Sequence, residues 1–464
     1  MSADSHSTHE LQSVPESRGQ RVSIFVAYNH PLLCLKRALD WEKIQAVMVT
    51  HWRAAGKNVD GGPGQPWPVA LYVPLLVLMS VKALASRQME EYTRENVVAR
   101  LFLDYQGQMP PPIRDHSNIA RAQAALGVAG WQQVNHLIIA ESVRLGFGRP
   151  EVLSADTTVQ EPEIGYPNEA GILRGIAQRC YRAIWKLHKR GFKQAPLALE
   201  KAKAVFQKVK DYHLFAKTKP EKDNALKQII ASSRQLQSQS KQLMKEVARA
   251  SDQVAGAAVA KLKQMADVTA GLLPQIAYWM KSGKVATQKI LHAGIRTARA
   301  IVKKTTGKKV QFGLKWLINR IPGGYIFGKV VPARADEKKM PIEALKNYRE
   351  VFGAKATPEM AIYDRGGSCA ETVEKLIKAG VKKVGIQPAG KASWYVAEAD
   401  QQAVKSQRGK TEGSIGTLKS RKYEFNHGRQ RSPATLEAAG QRAMVCMNLN
   451  NLLRDIVEKE RQAG

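Results

Sequence analysis

The chain predicts an α/β fold: a mixed β-sheet core interrupted by a large all-helical insertion and preceded by a helical N-terminal domain. Three observations lead there. Apolar residues recur with a helical period through most of 31–148 and again from 169 to about 304. Elsewhere the period falls to two, or to short apolar runs, at 151–156, 310–331, 360–363 and 383–387. From 310 onward these runs alternate with helical segments, which is the order that builds a sheet with helices on its faces.

Taken in order, residues 1–22 are polar, without the apolar stretch of a secretory leader, and read as a disordered tail. Residues 23–148 form the helical domain, either a DNA-reading module or a scaffold for the catalytic core. Leu39-Asp40-Trp41 opens one helix, Gly61 to Pro68 makes a loop, and a helix over Val69–Ala85 is followed by a charged one around Glu90–Arg100. Asp115-His116-Ser117 offers an N-cap to the next. The apolar run Val69–Val81 is broken by Pro74 and followed by Lys82, too short to span a bilayer and suited to a buried helix.

Residues 149–168 begin the sheet core, with Glu151-Val-Leu-Ser-Ala-Asp156 as a buried strand that delivers Asp156 at its carboxyl end. The insertion occupies 169–305. Within it Ile229, Leu236, Leu243, Ala250 and Ala257 recur every seven residues, a coiled-coil-like stripe weakened by Ser233 and Ser240. It suits either a dimer contact or an intramolecular hairpin. Residues 306–464 complete the core. Val310, Phe312, Leu314, Trp316 and Ile318 alternate along one strand, Pro322-Gly323-Gly324 turns the chain, and Tyr325–Val331 is the partner strand. A helix at Ile342–Phe352, a strand at Met360–Tyr363, a helix at Glu371–Ala379, a strand at Lys383–Gln387 and two further helices come next, the last over Ser432–Lys459.

Lys and Arg number 72 against 40 Asp and Glu, a formal charge of +32. Such an excess predicts a polyanionic partner bound in a salt-dependent way, nucleic acid rather than a membrane. Cys34, Cys180, Cys369 and Cys446 are scattered, with no zinc-like spacing, and read as reduced thiols of a cytoplasmic protein.

Chemistry concentrates in three carboxylates. Asp156 and Asp364 are placed at strand ends, where α/β folds put their chemistry. Lys405, Arg408, Glu412 and Lys419 share one helical face, because seven residues return to within about 20° of the same direction. Gly409, Gly413 and Gly416 weaken that helix. A single carboxylate in a column of cations suits a divalent ion held beside phosphates; an ordinary intrahelical Arg–Glu pair is the plainer reading.

These residues resemble the DDE transposases of bacterial insertion sequences. Ser154-Ala-Asp156-Thr-Thr-Val-Gln-Glu161 with Ile164-Gly-Tyr-Pro167 is similar to that family's first-aspartate block, Gln311-Phe-Gly-Leu-Lys315 with the Gly323-Gly324 turn to its second and third strands, and Tyr363-Asp364-Arg-Gly-Gly367 to its second-aspartate block. Arg408, Glu412 and Lys419 match the Arg-Glu-Lys part of a Tyr-Arg-Glu-Lys signature, with Lys405 standing where that signature has its Tyr. The resemblance implies an RNase H-like core and a nucleoid-associated enzyme that cleaves DNA at transposon ends and joins the freed 3′-hydroxyls to target DNA. It implies two Mg²⁺ or Mn²⁺ ions held by Asp156, Asp364 and Glu412. It also implies double-stranded DNA partners, namely terminal inverted repeats and target, and a homodimer that pairs two ends. Lys405, Arg408, Lys410, Lys419 and Arg421 are the candidate DNA contacts, with Lys391 in the basic loop beside Trp394.

Gly385-Ile-Gln-Pro-Ala-Gly390-Lys391-Ala392 nearly spells a phosphate-binding loop, but Ala392 lacks the hydroxyl such a loop presents to Mg²⁺, and Pro388 lacks an N–H. Two other function classes share the basic charge: a non-catalytic DNA-binding or architectural protein, which does not need the three carboxylates, and an RNase H-like nuclease, which does not need the insertion.

Overall fold

The structure, a computed structural model, describes residues 8–11, 24–60, 67–104, 115–164, 167–250, 252, 255–302, 310–388, 392–426, 430 and 432–463. They divide into two units, Met1–Gln160 with Lys315–Gly428 and Ala434–Gly464, and Glu161–Leu314 with Arg429–Pro433.

The first unit opens with two short strands, β1 (Thr8–Leu11) and β2 (Ile24–Ala27), paired antiparallel with Thr8 opposite Ala27. Part of the expected disordered tail is thus a strand, given order by the ladder it shares with β2. The remainder of 1–22 lies outside the described residues. Six helices come next: α1 (Pro31–Ala38), α2 (Trp41–Ala54), α3 (Val69–Lys82), α4 (Ser86–Glu95), α5 (Val97–Phe102) and α6 (His116–Arg144). Asp40 caps α2 by accepting from Lys43 N, and Asp115 caps α6 by accepting from Ser117 N. Glu90 accepts from the His116 N–H at 3.0 Å, so the Glu90, Asp115 and His116 group serves the start of α6. The charged helix expected over Glu90–Arg100 is two helices. Asn96 is extended, ends α4, and caps α5 through its side chain and Ala99 N. α6 bends at Gly127, whose φ of 61° interrupts the helical conformation.

β3 runs from Val152 to Gln160. Asp156 therefore lies in mid-strand instead of at its end. The strand continues because Thr158, Val159 and Gln160 are buried and Gln160 is bonded on both sides, donating to Leu436 O and accepting from Trp316 Nε1, both at 2.9 Å.

The second unit is a bundle of α7 (Glu169–His188), α8 (Ala195–Leu214), α9 (Lys219–Arg249) and α10 (Gly256–Ser282), followed by β4 (Arg299–Val302). Helix ends at Ser282, not near 304; Gly283 takes up a left-handed conformation there. Thr218 and Glu221 form a capping box at the start of α9. Ile229, Leu236 and Leu243 are buried in one apolar cluster with residues such as Leu173 on α7, Val205 on α8 and Leu262 on α10, so this part of the heptad stripe packs within the chain, whereas exposed Ala250 is the C-cap of α9 and exposed Ala257 lies on α10.

β5 (Val310–Ile321) pairs antiparallel with β4 through its first residues, and with β6 (Tyr325–Val331) from Lys315 onward. Then come α11 (Met340–Phe352), β7 (Met360–Tyr363), α12 (Ala370–Lys378), β8 (Lys383–Ile386), α13 (Glu398–Leu418) and α14 (Pro433–Ala463). The sheet of the first unit is mixed. β5 neighbours β3, β3 and β7 are parallel, and so are β7 and β8. Its apolar residues share one core with those of α1–α6, including Trp52, Leu75, Ile138, Leu153, Tyr325 and Tyr363. No single described helix is long and apolar enough to cross a membrane, and α3 is buried in that core.

The side of β6 away from β5 meets no strand among the described residues. Side chains bond it instead. Asn448 accepts from Ile326 N at 2.9 Å and donates to Ile326 O at 2.7 Å, and Asn135 also donates to that carbonyl. Gln441 donates to Gly328 O and Asn451 to Gly324 O, each at 2.9 Å. Three of the four come from one face of α14. A Cβ at Gly440 would stand 2.4 Å from the Trp316 ring, so glycine lets α14 approach the sheet this closely.

Candidate functional site

α13 lies against one face of β3 and β7. Val404 packs on Met360 and Ile362, and a Cβ at Gly385 would meet Val404 at 2.7 Å. The first glycine of the phosphate-loop look-alike is therefore a packing glycine, while residues 389–391, including Lys391, lie outside the described residues. Polar bonds then fix the helix. The Thr411 and Ser154 hydroxyls share a buried hydrogen bond of 2.7 Å. Buried Arg320 on β5 donates from Nε to Ser414 Oγ at 3.1 Å and from Nη1 to Gln407 Oε1 at 3.0 Å. Gln407, Thr411 and Ser414 fall on one helical side. The helix runs unbroken through Gly409, Gly413 and Gly416, because packing on the sheet outweighs a propensity penalty of about 1 kcal/mol each.

Side chains alternate along a strand, so Asp156 points to the same face as Ser154. The parallel ladder pairs Val152 with Met360, Leu153 with Ala361 and Ser154 with Ile362. Extended two residues past its last pair, the same register would bring Asp156 beside Asp364, which follows β7. Asp364 caps the 3-10 turn Arg365–Gly367, accepting from Gly366 N at 2.9 Å. Burial pushes its carboxyl above the usual carboxylate range and the charge of Glu337 adds to this, while the Gly366 N–H and the charge of Arg408 pull it back.

Glu412 follows Thr411, and Arg408 Nη2 stands 3.8 Å from its Oε1. Arg408 is 28% exposed and Glu412 63%. Arg408 is thus within electrostatic reach of both Asp364 and Glu412, whereas Asp156, Asp364 and Glu412 do not all bring their carboxylate oxygens within 4.8 Å of one another. The other cations spread out. Lys405 is exposed, with Nζ 6.0 Å from the centre of the Trp394 ring. Half-buried Lys419 is the C-cap of α13. Arg421 is exposed in the turn beyond it. Lys410 is exposed about 200° around the helix from Glu412, so it does not join the column.

Sequence reasoning missed Glu337. Its Oε1 accepts from Lys315 Nζ at 2.5 Å and from Thr157 Oγ1 at 3.3 Å, and its Oε2 accepts from Tyr363 Oη at 2.7 Å. Thr157 follows Asp156 and Tyr363 precedes Asp364. Glu337 therefore ties the two aspartate-bearing strands together from the face opposite α13. Burial, and then the Glu337 charge, push the Tyr363 phenol far up, so it stays a donor. Lys315 and Tyr363 sat in blocks already singled out, but Glu337 lies on a short charged 3-10 turn, Glu337–Lys339, with no periodicity to mark it.

Among family models, the one described as Transposase domain (DUF772) matches residues 20–124. That match supports a transposase, a DNA-processing enzyme of a mobile element; it ends within α6, before any strand of the candidate site. No curated protein and no solved structure matches the chain.

Proposed function

We propose that this protein is a DDE transposase with an RNase H-like core, catalysing metal-dependent DNA cleavage at transposon ends and strand transfer into target DNA. The observation that carries the reading is the parallel pairing of Ser154 with Ile362, two residues before Asp156 and Asp364, with α13 bonded through Thr411–Ser154 to the same sheet face. Asp156, Asp364 and Glu412 would together supply a hard-oxygen set suited to Mg²⁺ or Mn²⁺. Asp364 fits such an ion: its carboxyl is penalised by burial and by a neighbouring carboxylate, and a cation would relieve both. When bound, two divalent ions would supply charge neutralisation and activation of the attacking oxygen.

The chain's own residues do the rest. Glu337 and Tyr363 hold the spacing of the aspartate strands, Arg320 and Ser154 hold α13, and Arg408 with Lys419 grips phosphates near the bond to be broken. Double-stranded DNA, both terminal repeat and target, is the substrate, and a homodimer in the nucleoid pairs the two ends.

A strand-cleavage assay with Mg²⁺ on DNA carrying the flanking inverted repeats tests this. Glu412→Ala and Asp364→Asn are each expected to lower cleavage at least about a thousandfold while leaving DNA affinity within about twofold. Cleavage retained in Glu412→Ala would overturn the assignment. Binding without cleavage in wild type, with host factors supplied, would favour an architectural role.

A further inference from the structure

Charge is unevenly divided along this chain. Residues 161–314 carry 30 Lys and Arg against 10 Asp and Glu, a net +20 of the total +32. The basic side chains are most ordered on α9. At about 100° per residue, Lys227, Arg234, Lys241, Lys245 and Arg249 fall within about 80° of one another. All five are exposed, with Ala231 and Ser238 between them. Ile229, Leu236, Leu243 and Val247 face the opposite way into the bundle.

No acid interrupts the row. The one carboxylate between Lys227 and Arg249 is Glu246, about 100° away, which accepts from Lys193 N at 2.7 Å and Gln194 N at 2.9 Å. Ion pairs of this unit among the described residues use other cations: Arg190 with Asp252, Lys201 with Glu200, Lys289 with Glu169.

We infer that the outer face of α9 is a docking surface for the sugar-phosphate backbone of a nucleic-acid duplex. The row is about 33 Å long at 1.5 Å per residue, close to one turn of B-form DNA. A duplex offers a continuous line of charge, about one per 1.7 Å of axis, which such a row can follow without reading sequence. A bilayer fits less well, because the face has no large apolar side chain to insert. The inference deepens the proposed activity by giving DNA a second grip outside the carboxylate site, yet it is read by binding alone.

The test is fluorescence anisotropy on the full chain, with a duplex of arbitrary sequence three helical turns long, across a salt series. Replacing Lys227, Arg234, Lys241 and Lys245 together by Gln is expected to reduce the slope of log affinity against log salt by about 3 to 4, and to weaken binding at least about tenfold. Arg234→Gln and Lys241→Gln alone should each remove about one unit of slope, which keeps the test available if the fourfold variant folds poorly. Two controls keep the wild-type slope: Asp364→Asn, which separates this surface from the cleavage site, and Lys203, Lys210, Lys263 and Lys281 replaced by Gln. An unchanged slope in the α9 variants, an equal loss in the off-row control, or a loss confined to phosphatidylserine vesicles would each overturn the inference.

Discussion

The two units use basic helices in opposite ways. α13 is held by directional bonds: Thr411 to Ser154, and Arg320 to Gln407 and Ser414. α9 is held mainly by Ile229, Leu236, Leu243 and Val247, which pack without directional preference, with Gln239 and Glu246 bonding the start of α8 at its flank. A polar contact face fixes a helix's rotation and height on its sheet, as a site with one carboxylate in place requires. An apolar contact face leaves the outer surface to carry charge with little geometric demand. Cation content alone does not separate these uses; the residues on the buried side do.

If the first unit depends on inward-facing polar bonds, cutting them should matter most. Glu337→Ala leaves the nearly buried Lys315 ammonium (8% exposed) without its carboxylate. With Glu337 itself 37% exposed, the expected loss is about 2 to 3 kcal/mol, read from denaturant unfolding. Glu337→Gln should recover part of it, and no loss in either variant would break the contrast.

Acid should also act on the first unit. Burial lowers the His136 imidazole to about 4, so the folded state favours the neutral ring. Its stabilising contribution is complete above the ordinary value of 6.5 and is lost as pH falls from there towards 4, by at most about 1.4 kcal/mol per pH unit. The protection factors of β5 and β6 amides, corrected for the intrinsic slowing of exchange in acid, should therefore fall on acidification in wild type, and less in His136→Gln.

Thr411→Val keeps the shape and strands the Ser154 hydroxyl, at an expected loss of about 1 to 2 kcal/mol in the same unfolding measurement. If α13 matters through its placement, metal-dependent cleavage should fall further than stability does, with DNA affinity unchanged. The smallest effect is expected on α9, where the fourfold Gln variant should unfold within about 0.5 kcal/mol of wild type. A larger shift would mean that the row has a structural role as well.

Much of the sheet was legible because its signals are local. The β5–β6 hairpin follows from alternation and the Pro322-Gly323-Gly324 turn, and Met360–Tyr363 is a strand with the bounds its apolar run suggests. Asp156 was misplaced on β3 because Thr157–Gln160 are mostly polar, and only their partners, Trp316 and Leu436, make them strand. The α4–α5 break needed Asn96 to be read as a cap in the midst of charged residues. Glu337 left no trace, since its importance comes wholly from neighbours far along the chain. In the candidate site, then, the residues proposed for chemistry are ones marked by type and spacing, whereas the ones that bond around them are not.

The bonding of β6 by side chains of α14 has a consequence for how this chain is made. A ribosome adding about 5 to 20 residues per second takes roughly 5 to 20 s to go from the end of β6 to the start of α14. Throughout that interval the hairpin has one edge whose amides and carbonyls await Asn448, Gln441 and Asn451. Nascent chains of this protein are thus open to edge-to-edge pairing with one another for seconds, and synthesis paused before residue 433 prolongs the exposure.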